Sequence, residues 1–455
     1  MTTTDMTQGS PLQLILKFSL PLLIGNIFQQ LYNMCDTIIV GNFVGTEALA
    51  AVGSTGTIMF LIFGLSSGLT TGFTVLTSQR FGAKDDDGCR KSVSNGIILS
   101  LIVIVILTIL CFFALRPLLH LMNTPADIFE YAYSYISVIG MGIVCSVFYN
   151  LFSAYLRAIG NSRIPLYSLV FSACLNVVLD LVFIIYFKMG TAGAAWATNL
   201  SQAISAILCA IYIAKKVPVL TPNRNQWKLN KEYTKKQMAI GIPMSLQFAI
   251  TASGTIIMQT AINMFGAIAI AAFTATAKII NLMTQAYMAL GQTMATYCGQ
   301  NTGKFSLKRI QMGTKASMKI TVIYSLIIAV FGVLTLSLLL PLFFEVGTDI
   351  TAMLPYANQY MYVSVIFLIP LGMIFIYRNS MQGCGYGMSA MVLGIAELIA
   401  RLVVAFISMR TGSYLLAVAC DAAAWLVAGV LSYFLYLRVL KDLKMRFPEY
   451  QQEVC

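Results

Sequence analysis

Apolar runs of about twenty residues or more, the length that crosses a hydrocarbon core as a helix, recur twelve times along the chain. They cover residues 12–40, 47–79, 92–115, 128–156, 164–187, 191–214, 237–264, 267–299, 313–340, 351–377, 387–409 and 413–437. Between them stand Gly, Pro, Asn or clusters of charge, the residues that end helices and make turns. The pattern predicts an all-α polytopic membrane protein with twelve transmembrane helices.

Composition agrees. Of 455 residues, 58% are hydrophobic and only 10% charged, and the mean hydropathy is +0.80, whereas a soluble domain carries about 25% charged residues. The opening MTTTDMTQGSPLQ lacks the basic stretch and small-residue cleavage site of a secretory leader, so no processing is expected. Net charge is +12, and its distribution explains it. Alternate loops divide the 29 Lys and Arg residues into 23 on one side and three (Arg116, Lys188, Arg410) on the other, with Lys17 and two in-membrane cations left over. By the positive-inside rule, both termini and the segment 215–236 are cytoplasmic. The basic balance is therefore topology, and no nucleic-acid partner is expected.

The chain also repeats itself. FVGTEALAAVG (43–53) aligns with MFGAIAIAAFT (264–274), Gln79 with Gln300, Pro21 with Pro243, and YLRAIGNS (155–162) with SMQGCGYG (380–387), at offsets of 221 to 225. Six helices per repeat give both halves the same orientation, related by an axis along the membrane normal. The expected architecture is two pseudo-symmetric six-helix lobes facing a central cleft. The N-lobe is 1–214, a cytoplasmic linker 215–236, and the C-lobe with a short basic tail 237–455. Such lobes suit an alternating-access carrier.

Six ionisable residues lie well inside these runs: Asp36, Asp180, Lys278, Glu397, Arg401 and Asp421. An intramembrane charge costs roughly 2.5–3.5 kcal/mol even on the gentlest scale, so each needs a reason. The four in the C-lobe balance. Glu397 and Arg401 share a helix face, and a charge-paired structural network accounts for Lys278, Glu397, Arg401 and Asp421 at least as well as a function. The N-lobe holds two acids and no base at their depth. Asp36 and Asp180 each lie roughly 10–12 Å from the outer end of their helices at 1.5 Å per residue. Thr198 lies at matching depth, and Asn176 is one turn below Asp180. Asn26, Gln29, Asn33 and Asp36 form a stripe at helical spacing, so Asp36 is expected to face protein rather than lipid.

Two such carboxyl groups can share one proton or, with the Asn176 carbonyl and Thr198 hydroxyl, surround Na⁺, a hard cation that prefers oxygen. Energy must come from an ion gradient or from mere diffusion, since no phosphate-binding loop is present. NTGKFS (301–306) lacks the first glycine of that motif and carries Phe305 where Ser or Thr belongs. The ten cysteines form no CxxC pair and read as small hydrophobes. The single histidine, His120, follows Arg116 and Pro117 at a helix end. Neither points to catalysis or a metal, and no cofactor is expected.

PLLIGNIFQQLYNMCDTIIVG (21–41), FVGTEALAAVG, SQRFGAKD, YLRAIGNSRIP (155–165), LNVVLD (175–180), GAAWATNLSQ (193–202) and GQNTGK (299–304) together resemble the multidrug and toxic compound extrusion family, over essentially the whole chain. The resemblance implies a V-shaped pair of six-helix lobes exporting amphipathic, often cationic compounds in exchange for H⁺ or Na⁺. It puts the family's N-lobe cation site on Asp36, Asn176, Asp180 and Thr198. The acids that some members carry on the seventh and tenth helices are missing here. The implied setting is the cytoplasmic membrane of a prokaryote, with amphipathic small molecules and lipids as partners and a monomer as the working unit. Gln29, Asn33, Gln247, Gln259, Met283 and Tyr287, on the first, seventh and eighth spans, are the candidate substrate-cavity residues. Alternative readings are a lipid-linked saccharide flippase or a dedicated metabolite exporter of the same architecture, an intramembrane aspartate-pair enzyme, or a passive channel. The unpaired N-lobe acids speak against an anionic headgroup.

Overall fold

The computed structural model describes residues 3–122, 124–344 and 350–447. Fifteen α-helices follow in order: α1 (Pro11–Phe43), α2 (Thr46–Ser54), α3 (Gly56–Gly82), α4 (Asp86–Leu121), α5 (Ala126–Met141), α6 (Ile143–Ala158), α7 (Arg163–Leu181), α8 (Gly190–Lys216), α9 (Lys231–Asn263), α10 (Gly266–Gly303), α11 (Leu307–Leu339), α12 (Leu354–Ile366), α13 (Leu368–Gly383), α14 (Gly387–Thr411) and α15 (Tyr414–Arg446). Among the described residues ten helices are long and apolar enough to span a bilayer, and the bent pairs α5–α6 and α12–α13 make twelve. Every apolar run of the sequence overlaps one of these spans, and the run 47–79 also takes in the short helix α2 ahead of its span.

The two bends are an internal repeat in three dimensions. Each is 49°, and Gly142 and Phe367, the residues at the breaks, are 225 apart, the offset that relates YLRAIGNS to SMQGCGYG. Pro21 in α1 and Pro243 in α9 each remove one backbone donor from the corresponding helix of the two repeats.

Two compact units result. The first comprises the segment up to Asp5 together with Leu20–Ser245; the second comprises Met6–Ser19 and the chain from Leu246 onward. Within the second unit the N-terminal segment is tied down by polar contacts. The Met6 N–H donates to Gln300 Oε1 (2.9 Å), and the Met6 carbonyl accepts from Asn301 (3.1 Å) and from Arg309 (3.0 Å). Asn301, the first residue of the NTGKFS lookalike, thus holds backbone of the N-terminal segment. Within the first unit the 217–230 segment is held to the start of α4. Ser94 Oγ donates to the Gln226 carbonyl (2.7 Å), and the Asn230 N–H donates to Asn95 Oδ1 (2.8 Å).

Burial follows composition. The most apolar helices, α4 and α11, are among the least buried, and Phe112 and Phe113 of α4 are 76% and 71% exposed, the expected face toward lipid. The interior helix α3 instead carries GLSSGLTTG, because close helix approach in a bilayer depends on small residues. A Cβ on Gly72 would stand 2.3 Å from the Gly241 Cα of α9, and one on Gly68 2.6 Å from the Ser245 Cα. Gly72→Val is therefore expected to destabilise the first unit by about 1–3 kcal/mol, the usual range for overpacking. Thermal unfolding of the purified variant in detergent checks this; an unchanged midpoint refutes the backbone contact.

Candidate functional site

The N-lobe group predicted from depth and charge balance comes together in the first unit. Asn176 and Asp180, four apart on α7, share a face and are fully buried; Thr198 of α8 is 4% exposed and Asp36 of α1 is 8% exposed. Turned to suit its neighbours, the Asn176 amide donates from Nδ2 to Asp180 Oδ2 (2.9 Å) and accepts at Oδ1 from the Thr198 backbone N–H (3.2 Å). The Asp36 and Asp180 carboxyl groups lie within hydrogen-bond reach of one another.

Two aromatic residues complete the surroundings. The Tyr32 hydroxyl is 3.2 Å from Thr198 Oγ1, and buried Tyr135 of α5 stands beside the pair. Tyr32 precedes Asp36 by one turn on the stripe already singled out, a signal the sequence contained. Tyr135 had none. Directly after Asp180 the backbone widens into a π-helical turn, Val182–Tyr186, a local irregularity that recurs at functional sites.

The chemistry follows from what is left unsatisfied. Asp36 Oδ1 and Asp180 Oδ1 are buried without a hydrogen-bond partner, and no Lys or Arg among the described residues pairs with either acid. A buried anion without a counter-charge is costly. A proton held between the two carboxyl groups or a small hard cation would satisfy both oxygens, so the residues present fit H⁺ or Na⁺. Among the described residues no group of three or more His, Cys, Asp or Glu side chains could hold a metal ion.

In the second unit, three of the four predicted network members meet. Arg401 donates from Nε to Asp421 (2.9 Å) and lies 3.4 Å from Glu397. The fourth is corrected. Lys278 is exposed and stands apart, its Nζ 5.9 Å from the centre of the Phe343 ring. Its place is taken by Arg378 of α13, which reached the cytoplasmic loop count because its apolar run ends at 377. It lies 3.7 Å from Glu397 and its side chain is 13% exposed. Gly254 of α9 makes room for the guanidinium of Arg401, since a Cβ there would lie 3.0 Å from its Cδ and Nη1.

The six cavity candidates separate. Gln29 and Asn33 are exposed on α1. Gln259 is half-buried and bonds Asn263 (2.8 Å), and Gln247 is buried beside Gln382 (3.4 Å). Met283 and Tyr287 lie in the hydrophobic core of the second unit, where the Tyr287 hydroxyl is 2.6 Å from Ser325 Oγ. These two are packing residues rather than cavity lining. His120 is exposed in the last turn of α4, stacked on Phe129 with centroids 4.5 Å apart. The nine described cysteines are free; Cys455 lies outside the described residues.

The MatE family model matches residues 21–182 and 243–407. The chain belongs to the multidrug and toxic compound extrusion family. It is accordingly a membrane transporter, and the reading of Asp36 and Asp180 as an intramembrane enzyme falls away. Among curated relatives, the Bacillus subtilis (strain 168) "Probable multidrug resistance protein YpnP" is 31% identical over 312 residues, 68% of this chain and 69% of that protein. The "Multidrug export protein MepA" of Staphylococcus saprophyticus is 22% identical over 402 residues, 86% of each. Among solved structures, a MOP superfamily transporter from Pyrococcus furiosus superposes with a TM-score of 0.90 at 24% identity, over 98% of this chain and 100% of that one. A MATE protein in complex with MaL6 gives 0.89 at 25% identity, over 97% and 98%. The twelve-helix fold is thus shared.

Proposed function

We propose that this transporter exports amphipathic organic compounds, cations above all, in exchange for H⁺ or Na⁺ loaded at Asp36 and Asp180. The observation that carries the reading is the pair of buried, mutually adjacent carboxyl groups with no base beside them. With both acids ionised the pair is a charged defect in a low-dielectric interior; with one cation bound it is nearly neutral. Loading from outside and release inside makes the site a switch whose two states differ in electrostatic cost. One charge falling through 100 mV supplies about 2.3 kcal/mol to the cycle. Asn176 orients Asp180, and the Tyr32 and Thr198 hydroxyls can turn to accept or donate as the cation comes and goes. The multidrug names of the B. subtilis and S. saprophyticus relatives support broad specificity. The bias of Lys and Arg supports cytoplasmic termini in a prokaryotic plasma membrane, and the repeat supports two lobes, 1–214 and 237–455, joined by 215–236 and working as a monomer.

Proteoliposomes loaded with a fluorescent cationic dye test this directly. A pH gradient alone or a Na⁺ gradient alone is expected to drive dye movement, and the effective gradient names the ion. Dye that moves under neither gradient overturns polyspecific export, and a dedicated metabolite or lipid-linked saccharide then becomes the substrate to seek.

A further inference from the structure

Residues 217–230, between α8 and α9, are folded rather than slack. Arg90 Nε donates to the Pro218 carbonyl (3.1 Å), Gln226 Nε2 to Asp87 Oδ1 (2.6 Å), and Ser94 Oγ to the Gln226 carbonyl (2.7 Å). The Asn223 N–H donates to Gln226 Oε1 (2.8 Å) and closes a turn over 224–226. The Asn230 N–H donates to Asn95 Oδ1 (2.8 Å), and Asn230 Oδ1 accepts from the Glu232 N–H (2.9 Å) in the first turn of α9. The segment sorts its apolar side chains. Val217 and Leu220 are buried in a core cluster with Leu156 and Cys209, whereas Trp227 and Leu229 stand 47% and 50% exposed.

The pinned residues fix the depth of this exposed pair. Ser94 and Asn95 are the third and fourth residues of the apolar run 92–115, so they lie about 3–5 Å inside its start at 1.5 Å per residue. Gln226 and Asn230 bond to these two, and each is one residue from Trp227 or Leu229, a Cα step of about 3.8 Å. Trp227 and Leu229 are thus held near the level where hydrocarbon gives way to headgroups, the level at which tryptophan concentrates in membrane proteins. Around them the charge is one-sided. Residues 215–236 carry seven Lys and Arg, all exposed, against the single acid Glu232, which is 2.6 Å from Lys236. Clusters of about four to eight bases beside a membrane helix attract anionic lipid. Water can satisfy the cations by themselves. It gives no reason for a braced loop that buries two of its apolar side chains and holds two larger ones out.

We propose that residues 215–236 form an anchor for the anionic surface of the bilayer. Trp227 and Leu229 enter the headgroup layer of the leaflet that the Lys and Arg bias assigns to the cytoplasm. The flanking cations, Arg224 and Lys228 nearest in sequence, engage phospholipid phosphates. The anchor is separate from Asp36 and Asp180, and it does not depend on which cation drives transport.

The test uses the purified full-length transporter in lipid nanodiscs, which leave both bilayer faces open to a quencher. Trp227 is read as the difference in tryptophan emission between the wild type and Trp227→Phe. In phosphatidylglycerol discs that difference is expected to be blue-shifted, quenched by lipid brominated near the top of the acyl chain, and shielded from aqueous acrylamide. Dilution with phosphatidylcholine is expected to move it toward the emission of an indole in water. Arg224→Gln with Lys228→Gln is expected to raise the phosphatidylglycerol fraction needed for the shift about twofold or more. Lys308→Gln with Lys315→Gln, which removes two exposed cations of the second unit, is expected to leave that fraction unchanged. Thermal midpoints confirm that each variant is folded. Free quenching by acrylamide in every disc overturns the proposal, and so does lipid quenching that is indifferent to phosphatidylglycerol or to the loss of Arg224 and Lys228.

Discussion

Asp36→Asn is expected to stop gradient-driven efflux while leaving the protein folded and in the membrane. An asparagine fills the same volume and still offers an oxygen to its neighbours, but it cannot carry the charge that draws a cation into the site. The coupled flux then loses the roughly 50-fold bias that one charge moving through 100 mV provides, about 2.3 kcal/mol. Asp180→Asn is expected to do the same, because in the proposed mechanism the two carboxyl groups share one cation and either neutralisation leaves a single acid. Stability should not fall, since a buried charge is removed rather than stranded. The check is dye movement in proteoliposomes under each gradient, beside size-exclusion profiles and thermal midpoints. Wild-type pumping by Asp36→Asn would end the carboxylate-pair mechanism.

The second large effect concerns folding. Arg401→Met leaves Asp421, 2.9 Å away, and Glu397, 3.4 Å away, without their shared partner. Breaking a buried ion network by removing one member typically costs 3–5 kcal/mol, because the orphaned charges stay buried. Arg378 at 3.7 Å can compensate only Glu397. The double variant Arg401→Met with Asp421→Asn is expected to recover part of the loss. Lys278→Met, which touches no acid in the network, is expected to change stability by no more than about 0.5 kcal/mol. Thermal or denaturant unfolding of the four proteins separates these outcomes. A wild-type midpoint for Arg401→Met means the network contributes nothing.

The residues that became legible early share a property. Depth along a membrane helix is a one-dimensional coordinate, 1.5 Å per residue, so Asp36, Asp180 and Thr198 could be set at one level by counting. Helical periodicity then put Asn176 under Asp180. Tyr32 obeys the same arithmetic, one turn from Asp36, but a tyrosine in an apolar run carries no charge to mark it. Rotation about the helix axis is not so readable. Lipid and protein core are about equally apolar, so nothing in the pattern around Met283 and Tyr287 told whether they line a cavity or fill the second unit, where they are found. Lys278 and Arg378 show the same blindness with charges. One lies inside an apolar run yet is exposed, and the other lies at a run's edge yet is buried against Glu397.

What the sequence by itself determined is therefore the fold class, the twelve spans, the repeat and the depth of each intramembrane charge. Length, hydropathy and the alternation of basic loops are local or linear quantities, and a bilayer converts them almost directly into topology. Tertiary structure alone decided which charges face one another. It joined Arg378 rather than Lys278 to Glu397, set Tyr135 beside the aspartate pair, and bent two spans by 49°. Those outcomes depend on how helices turn and approach, which close packing of small residues such as Gly72 against Gly241 settles; no single helix carries that information.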